Sequence, residues 1–576
     1  MNLYKEMVEI NDNITESFFE KQINDVNSRY FGGVIFFKTG IPSPSHTGTG
    51  SVLASWVCSY VNPDSSYYHQ EQLAKRIDKA LDYMLDQQHE DGTISPGWTN
   101  YHSPPDTGFL VNGFCHLYHL LNKDRALGAN LLTSKLRSFL ERAIPAMLTG
   151  GCHTPNHRWV LSSALGQLYT IFKDDDLLDR AEEWLLEGID ITEDGEWTER
   201  SNGIYNTVSD IFLYHTAQLL NKPELLEYVR KNLDMMKYLV HPDGEVVTDY
   251  SGRQDFGSSF DLSQYYLVCR LMAYHDKNPD YAAIADLAAE NITDMGPVNN
   301  HIMIGYLLFP FIKEQQFKNT TLPMHYEVMI NRDFPVANNL SKMDLVGHES
   351  KIEHSSMHES FGAPIVRYRE EDESATIMSK NASVFSLRKG DAKLLGIRLY
   401  SSFSPGIIEF DTLEKRDNGY RLKKRMEKGY KGPIPKQFLS HREDTSIWYL
   451  LPHQHRKTTH NQSFEVVVDI HKSSDGEWKL HLKSDEREDV FLQVEFLFDS
   501  EGIVQGNNIN SVNEKTCFWK KDELTYQAGE NYIQIDSGEH AHWIEDIGEV
   551  KKVANVQAVK VNLVSPTEKL FHIRIK

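Results

Sequence analysis

Between Thr154 and Ser209 the sequence carries two short clusters of groups able to hold an anion and move a proton. TPNHRW supplies an amide and an imidazole, Asn156 and His157, just before a helical stretch. WTERSNGIYN supplies a carboxylate, a guanidinium and a phenol, Glu199, Arg200 and Tyr205, just after a DG turn at Asp194 and Gly195. An amide, an imidazole and a guanidinium can together bind a carboxylate, and a phenol beside a cation can act as a general base. Each group also has a structural reading. An Asn before a helix is a good cap, its His neighbour can pack, Tyr205 can be a core aromatic, and Glu199 with Arg200 can form an ion pair. The chemical reading requires the two clusters to meet in space, so it depends on the elements around them.

From the start to about Lys318 those elements read as helices with a 3.6-residue apolar period, as in LAKRIDKALDYMLDQQ, LLDRAEEWLLEGI and LLEYVRKNLDMMKYLV. Glycine-bearing breaks separate them at SHTGTG, EDGT, TGGC, EDGE, PDGE and DMGP. The spacing is roughly fifty residues, enough for a helix, a turn and a second helix per repeat, and six such hairpins close a ring. Loops gathered at one end of a ring would line a shared cleft. Beyond EQQFKNTTLPMHYEV the period changes to two. SVFSLRKG, LLGIRLYSSF, FEVVVDIH, WKLHLKSD, VFLQVEFLFDS and LFHIRIK read as strands of an antiparallel sandwich. The expected organisation is an α/α-toroid over residues 1–320 followed by a β-sandwich over 321–576. Within the latter, DTLEKRDNGYRLKKRMEKGYKGPIPK reads as a basic, irregular loop directed toward an acidic ligand.

The combination of Asn156 and His157 opening one helix with Asp194, Gly195, Glu199 and Tyr205 in the next repeat resembles the toroidal polysaccharide lyases, especially the oligo-alginate lyases and the heparinase II/III-like families. The specific part of the likeness spans about fifty residues, while the order of a helical domain and then a β-domain spans the chain. The resemblance implies an enzyme that cleaves a 4-O-linked uronic acid by β-elimination. Removing the C5 proton of a uronate is difficult while the adjacent carboxylate is charged. Asn156 and His157, protonated or hydrogen-bonding, would neutralise that group, as an oxyanion hole does. Tyr205 would be the general base. A phenol with a pKa near 10 needs a neighbouring positive charge for that task, and Arg200 is the cation adjacent in sequence. The proton for the leaving oxygen would come from Tyr205 itself or from a β-domain group among Tyr420, Tyr430, His441, His453 and His455.

Two weaker clusters could touch the sugar: His102 and Asp106 around the double proline of HSPPDT, and Arg253, Gln254 and Asp255 in DYSGRQD. Loop hydrogen bonding explains them equally well. Trp98, Trp159 and Trp197 could stack on sugar rings, although single tryptophans at helix ends more often pack. Glu199, with His102, Asp106, Arg253, Gln254 and Trp159, completes the expected substrate-binding set.

The formal charge of −22 argues against nucleic acid but not against an acidic oligosaccharide held by a few focused cations. Cys58, Cys115, Cys152, Cys269 and Cys517 lack zinc-type or CxxC spacing. No apolar run is long enough to span a bilayer, and the start lacks a secretory pattern, so a cytoplasmic enzyme acting on imported oligosaccharides is expected. No metal-ligand set, GxxxxGK or GxGxxG motif is present, and no cofactor is expected. Some lyases of the families it resembles carry a structural metal in the β-domain, but nothing in this sequence locates one. The alternative chemistry is a glycoside hydrolase using two carboxylates from Asp106, Glu199 and Asp255. A non-catalytic glycan-binding protein fits less well, because binding alone does not call for a Tyr beside an Arg opposite an Asn-His pair.

Overall fold

The computed structural model describes residues 3–97, 100–124, 128–314, 317, 320–346, 359–439, 447–548 and 555–576. The chain forms two compact units, Met1–Pro323 with Asp333–Gly362, and Met324–Arg332 with Ala363–Lys576. This differs from one cut near 320. The segment 324–332 supplies the strand His325–Ile330 to the second unit, and the chain then returns to the first before leaving it at Gly362.

In the first unit the helices alternate between two kinds. Thr49–Val61, Pro104–Lys123, His157–Phe172, Tyr205–Leu219 and Tyr266–Asp276 are buried on most of their surface. Glu71–Gln87, Ala129–Thr149, Asp175–Leu186 and Leu226–Met236 bury one stripe and expose the other. The first kind therefore forms an inner layer and the second an outer one. Leu161, Leu165 and Leu168 on one inner helix are fully buried, each contributing about 1.5–3 kcal/mol of apolar transfer free energy. The ring closes where Leu3–Ser17 packs against both Thr49–Val61 and Ile302–Leu308, with the Tyr4 and Tyr306 rings edge to face at 5.3 Å. This is the α/α-toroid. Among the described residues, no helix is long and apolar enough to cross a membrane.

Three of the DG turns share one backbone design. The amides of His89, Thr192 and His241 donate to the carbonyls of Thr93, Glu196 and Glu245, and Gly92, Gly195 and Gly244 occupy the left-handed positions. At Gly92 and Gly195 a Cβ would lie 2.0 Å from the Arg142 carbonyl oxygen and 2.1 Å from that of Lys231, so both conformation and space require glycine.

The second unit is a sandwich of two sheets, almost wholly antiparallel. Among the described residues, a parallel pairing joins Thr516–Trp519 to Val556–Val564, and an isolated parallel bridge joins His540 to Asn562. Alternate residues such as Phe464, Val466, Val468 and Ile470 turn into a core shared with Phe385, Leu394, Phe496 and Phe571. The basic segment expected to be irregular is regular: Thr412–Arg416 and Gly419–Lys431 form an antiparallel hairpin. Tyr420, Leu422 and Met426 point inward, while Arg421 and Lys423 face out and pair with Asp469 and Glu465, and the half-buried Lys424 pairs with Asp411. Those outward cations hid the period of two.

Candidate active site

The loop after the second DG turn is buried from Glu196 through Gly203, so its polar groups require internal partners. The third DG loop supplies several. Asp255 accepts from the Ser201 hydroxyl at 2.9 Å, the Gly203 amide at 2.9 Å and the Ser251 hydroxyl. The Asn202 amide donates to the Val247 carbonyl, and the Tyr265 hydroxyl to the Asn202 carbonyl. Ser201 in turn accepts from the Tyr205 amide at 3.1 Å, which fixes the first residue of the helix Tyr205–Leu219.

Asn156 stands at the start of the helix His157–Phe172 but does not cap it. Its amide nitrogen donates to Glu199 and, at 3.3 Å, to Thr154 Oγ1. The two sequence clusters therefore meet through Asn156 and Glu199. Arg253 Nη1 lies 3.7 Å from Glu199 Oε1, and the Arg253 guanidinium sits 4.5 Å over the Tyr205 ring. Asn156 Oδ1 and His157 Nδ1 are buried without a hydrogen-bond partner in the protein. Such groups cost free energy unless something meets them, which marks the spot as a place where a ligand gains contacts.

The electrostatics follow from burial. Desolvation pushes the Glu199 carboxyl up to about 7, with the Asn156 hydrogen bond and the Arg253 charge pulling the other way. Desolvation, reinforced by the charges of His153, Arg253 and His46, pushes His157 down to about 3, so its imidazole is neutral near pH 7. Protonated His157 is thus not the charge that would meet a carboxylate; Arg253 is the cation of this group. Asp190, raised to about 6 by desolvation, is paired with Arg158 at 2.7 Å behind it.

Arg200 departs from the role expected of it. It is fully buried with a left-handed backbone, donates to the Ser360 carbonyl, approaches Glu196 at 3.4 Å and lies over the Tyr250 ring at 5.0 Å. The cation on the Tyr205 ring is Arg253 because the third loop folds back onto the second, a proximity with no trace in sequence distance. Trp159 is also reassigned: it is 1% exposed, packed 6.5 Å from Trp197 and covered by Arg158 at 4.5 Å, so its faces are not open to a sugar. Trp98 lies outside the described residues.

His102 is exposed and tied to its own turn, bonded to Asp91 at 2.8 Å and stacked on His89 at 3.8 Å. Asp106 accepts from Asn100 at 2.8 Å and from the Ser103 hydroxyl at 2.6 Å. Its charge partly offsets the burial that lowers His46. Gln254 is exposed beside Arg253. Asp255, with three donors and no exposure, is a brace for the loop rather than an acid facing a substrate. Two residues absent from the sequence reading join the group. His46 stacks on Phe109 at 4.5 Å, and Phe109 and His153 both meet the His157 ring edge to face, at 6.2 and 4.7 Å. His46 stands in SHTGTG, which reads as a mere turn, and His153 directly follows the TGGC break; for His153, proximity to His157 in sequence was the one available signal.

Of the candidate acids in the second unit, the Tyr420 hydroxyl donates to Glu327, Tyr430 is exposed, His453 bonds the Trp448 carbonyl and His455 stacks on Phe438 at 3.7 Å. His441 lies outside the described residues. Among the described residues no group of three His, Cys, Asp or Glu side chains could hold a metal ion.

No family model and no curated protein matches the chain. Solved structures do. A heparinase III aligns over 100% of this chain and 85% of its own at 10% identity, with a TM-score of 0.50. A chondroitinase AC lyase, studied in complexes with oligosaccharides, aligns over 100% of this chain and 82% of its own, again at 10% identity and a TM-score of 0.50. At such identity the likeness is one of fold: this chain shares with these two proteins a helical toroid followed by a β-sandwich.

Proposed function

We propose that this chain is a polysaccharide lyase that cleaves a 4-O-linked uronic acid by β-elimination, leaving an unsaturated uronide. The observation that carries the reading is the linked group Asn156, His157, Glu199, Arg253 and Tyr205, in which an amide oxygen and an imidazole nitrogen are buried without partners while a guanidinium lies on a phenol ring. The fold shared with a heparinase III and a chondroitinase AC lyase adds to it.

In this mechanism the substrate carboxylate is met by the Arg253 charge and by hydrogen bonds from Asn156 and neutral His157, lowering the barrier to loss of the C5 proton. Tyr205 takes that proton as phenolate. The C5–H electron pair becomes the C4–C5 double bond, the C4–O4 bond breaks, and the leaving oxygen takes a proton from the Tyr205 hydroxyl just formed or from a second acid. Glu199 sets the orientation of Asn156. With its carboxyl poised near 7, the protonated form can give a hydrogen bond to the amide oxygen after a half turn of the side chain, directing the amide nitrogen to the substrate. The hydrolase alternative lacks a matching assembly: Asp255 is saturated, and Asp106 is engaged by Asn100 and Ser103.

The test is a panel of uronic-acid oligosaccharides read by near-ultraviolet absorbance and mass spectrometry. Elimination gives products that absorb and gain no water. Products that gain one water per cleavage and do not absorb would replace this reading with hydrolysis.

A further inference from the structure

In a chain of formal charge −22, residues 428–439 and 447–462 of the second unit carry five Lys or Arg, three His and no Asp or Glu. The first stretch is the end of the hairpin strand Gly419–Lys431 and the turn beyond it. The second holds short helical turns at Trp448–Leu450 and His453–His455, then the start of the paired strand Thr458–Lys472. Residues 440–446 lie outside the described residues. Arg456 ties the two stretches into one surface. Its Nη1 donates to the Gly432 carbonyl at 2.8 Å, its Nε donates to His453 Nδ1 at 3.0 Å, and its guanidinium lies 4.6 Å over the Trp448 ring. The Gly432 amide donates to the Lys457 carbonyl at 2.9 Å, and Phe438 stacks on His455 at 3.7 Å.

The two halves of the hairpin strand treat their cations differently. Before the surface begins, Arg421, Lys423, Lys424 and Arg425 all face carboxylates, those of Asp469, Glu465, Asp411 and Glu427. Past Glu427 the pairing stops. Lys431 donates to Thr458 Oγ1 at 2.8 Å, and Lys436 and Lys457 are exposed. Among the described residues, none of these three lysines has a carboxylate within ion-pair distance. Open aromatic and aliphatic groups stand on the same surface. Tyr449 is 87% exposed, with no ring or cation on either face among the described residues, and Leu450 beside it is 79% exposed.

Unpaired cations at an exposed surface accept an anion without an existing ion pair having to break. The rest of the molecule decides which anion. A bilayer or a nucleic-acid duplex brings its charge over a whole face of a strongly acidic protein, which repels it. A chain of a few sugar units meets this surface alone, and charges farther off than a Debye length of about 8 Å are largely screened. An open phenol ring among the lysines adds an apolar face for the C–H side of a sugar.

The structure assigns to this surface, built wholly from the second unit, the binding of an anionic sugar chain. Carboxylate or sulfate groups pair with Lys431, Lys436 and Lys457, and a ring C–H face lies on Tyr449. The inference takes the kind of chain from the lyase reading and none of its chemistry.

The experiment uses the full chain carrying Arg253→Met, which weakens anion binding at the candidate active site. It is titrated by calorimetry with a hexameric oligogalacturonate, a sulfated heparin hexasaccharide and neutral maltohexaose, while amide hydrogen exchange is followed over residues 447–460. At least one anionic chain is expected to bind saturably and protect that segment, and maltohexaose is not. A tenfold rise in salt should weaken the binding about tenfold. Lys431→Glu combined with Lys457→Glu should weaken it at least tenfold, and Tyr449→Ser several-fold, with melting temperatures kept because these side chains are exposed. The inference is overturned if neither anionic chain protects the segment or if the charge-reversed variant folds and keeps its affinity. Equal binding of maltohexaose would overturn it too, as would protection by phosphatidylserine vesicles and by neither sugar chain. An anionic chain that binds here but is never cleaved by the unmutated protein would sink the lyase reading and leave this one standing.

Discussion

The loops that follow Gly195 and Gly244 begin with the same turn yet treat their buried carboxylates in opposite ways. Asp255 in the later loop has three donors and holds the earlier loop in place. Glu199 in the earlier loop has one strong donor, one oxygen without a hydrogen-bond partner and a carboxyl raised to about 7. Both are almost wholly buried, so burial does not separate structure from chemistry here. Satisfaction does: a filled hydrogen-bond shell marks a brace, and an unfilled one beside a perturbed carboxyl marks a place built to meet something else. The loop after Gly92 is a third case, in which His102 bends back to Asp91 at the surface.

The largest effect that could break this contrast is at Tyr205, which the Asp255-braced loop positions. Tyr205→Phe keeps the ring beneath Arg253 and deletes the oxygen. Turnover of a uronide substrate is expected to fall by about 10²–10⁴-fold with substrate affinity and melting temperature little changed, since the loss belongs to proton transfer. Full turnover in the variant at saturating substrate would remove Tyr205 from the chemistry.

A second pair of substitutions sharpens the division between the loops. Arg253→Met removes the charge on the Tyr205 ring and near Glu199, and kcat/KM is expected to drop by about 10²-fold with modest change in stability. Arg200→Met removes a fully buried guanidinium that supports the Ser360 carbonyl and leaves Glu196 buried without its nearest cation. Its main effect is expected in the thermal melt. The reverse ranking of the two variants would restore Arg200 as the cation that acts on Tyr205.

That pair also shows what sequence could reveal. The DG glycines, the 3.6-residue period and the later period of two were legible because they are local constraints. Asn156, His157, Glu199 and Tyr205 were legible as a motif. Arg253 was visible only as a weak contact residue, and Arg200 was favoured because it is five positions from Tyr205 in the chain. The third loop folding onto the second is a tertiary event that leaves no local pattern. Trp159 misled for a related reason: a tryptophan near a helix start looks the same whether its helix is inner or outer, and here the inner position buries it. His46 arrives from a turn about 110 residues before His157 and carries no signature beyond glycine and threonine neighbours.

A smaller effect tests the brace itself. Asp255→Asn keeps the size but replaces an acceptor-only group with one whose amide nitrogen faces the donors of Ser201, Gly203 and Ser251. A stability loss of about 1–3 kcal/mol is expected in chemical denaturation, with activity falling only as far as Tyr205 is displaced. A variant that folds with unchanged stability but loses all turnover would make Asp255 a participant in the reaction and revive the carboxylate-pair alternative.

The smallest expected effect is a change in slope, and it probes the unfilled carboxyl directly. Glu199 titrates near 4.5 when unfolded and about 7 when folded, so the folded protein holds an extra proton between those values. Its contribution to stability is fully present below about 4.5 and is lost as pH rises to 7. His157, lowered from 6.5 to about 3, works in the opposite sense: its contribution is present above 6.5 and is lost as pH falls toward 3. Wild-type stability between pH 4.5 and 6.5 therefore contains two opposed slopes. Glu199→Gln deletes one of them, so the variant's stability relative to wild type should improve from pH 5 to about pH 7 and level off above it. Substrate affinity should follow the same group, because an ionised Glu199 repels a substrate carboxylate: KM of the wild type should rise above pH 7, and that rise should flatten in Glu199→Gln. Parallel stability curves for the two proteins across this range would mean that Glu199 is already ionised at pH 5, held by Arg253 in a filled ion pair, and the contrast with Asp255 would disappear.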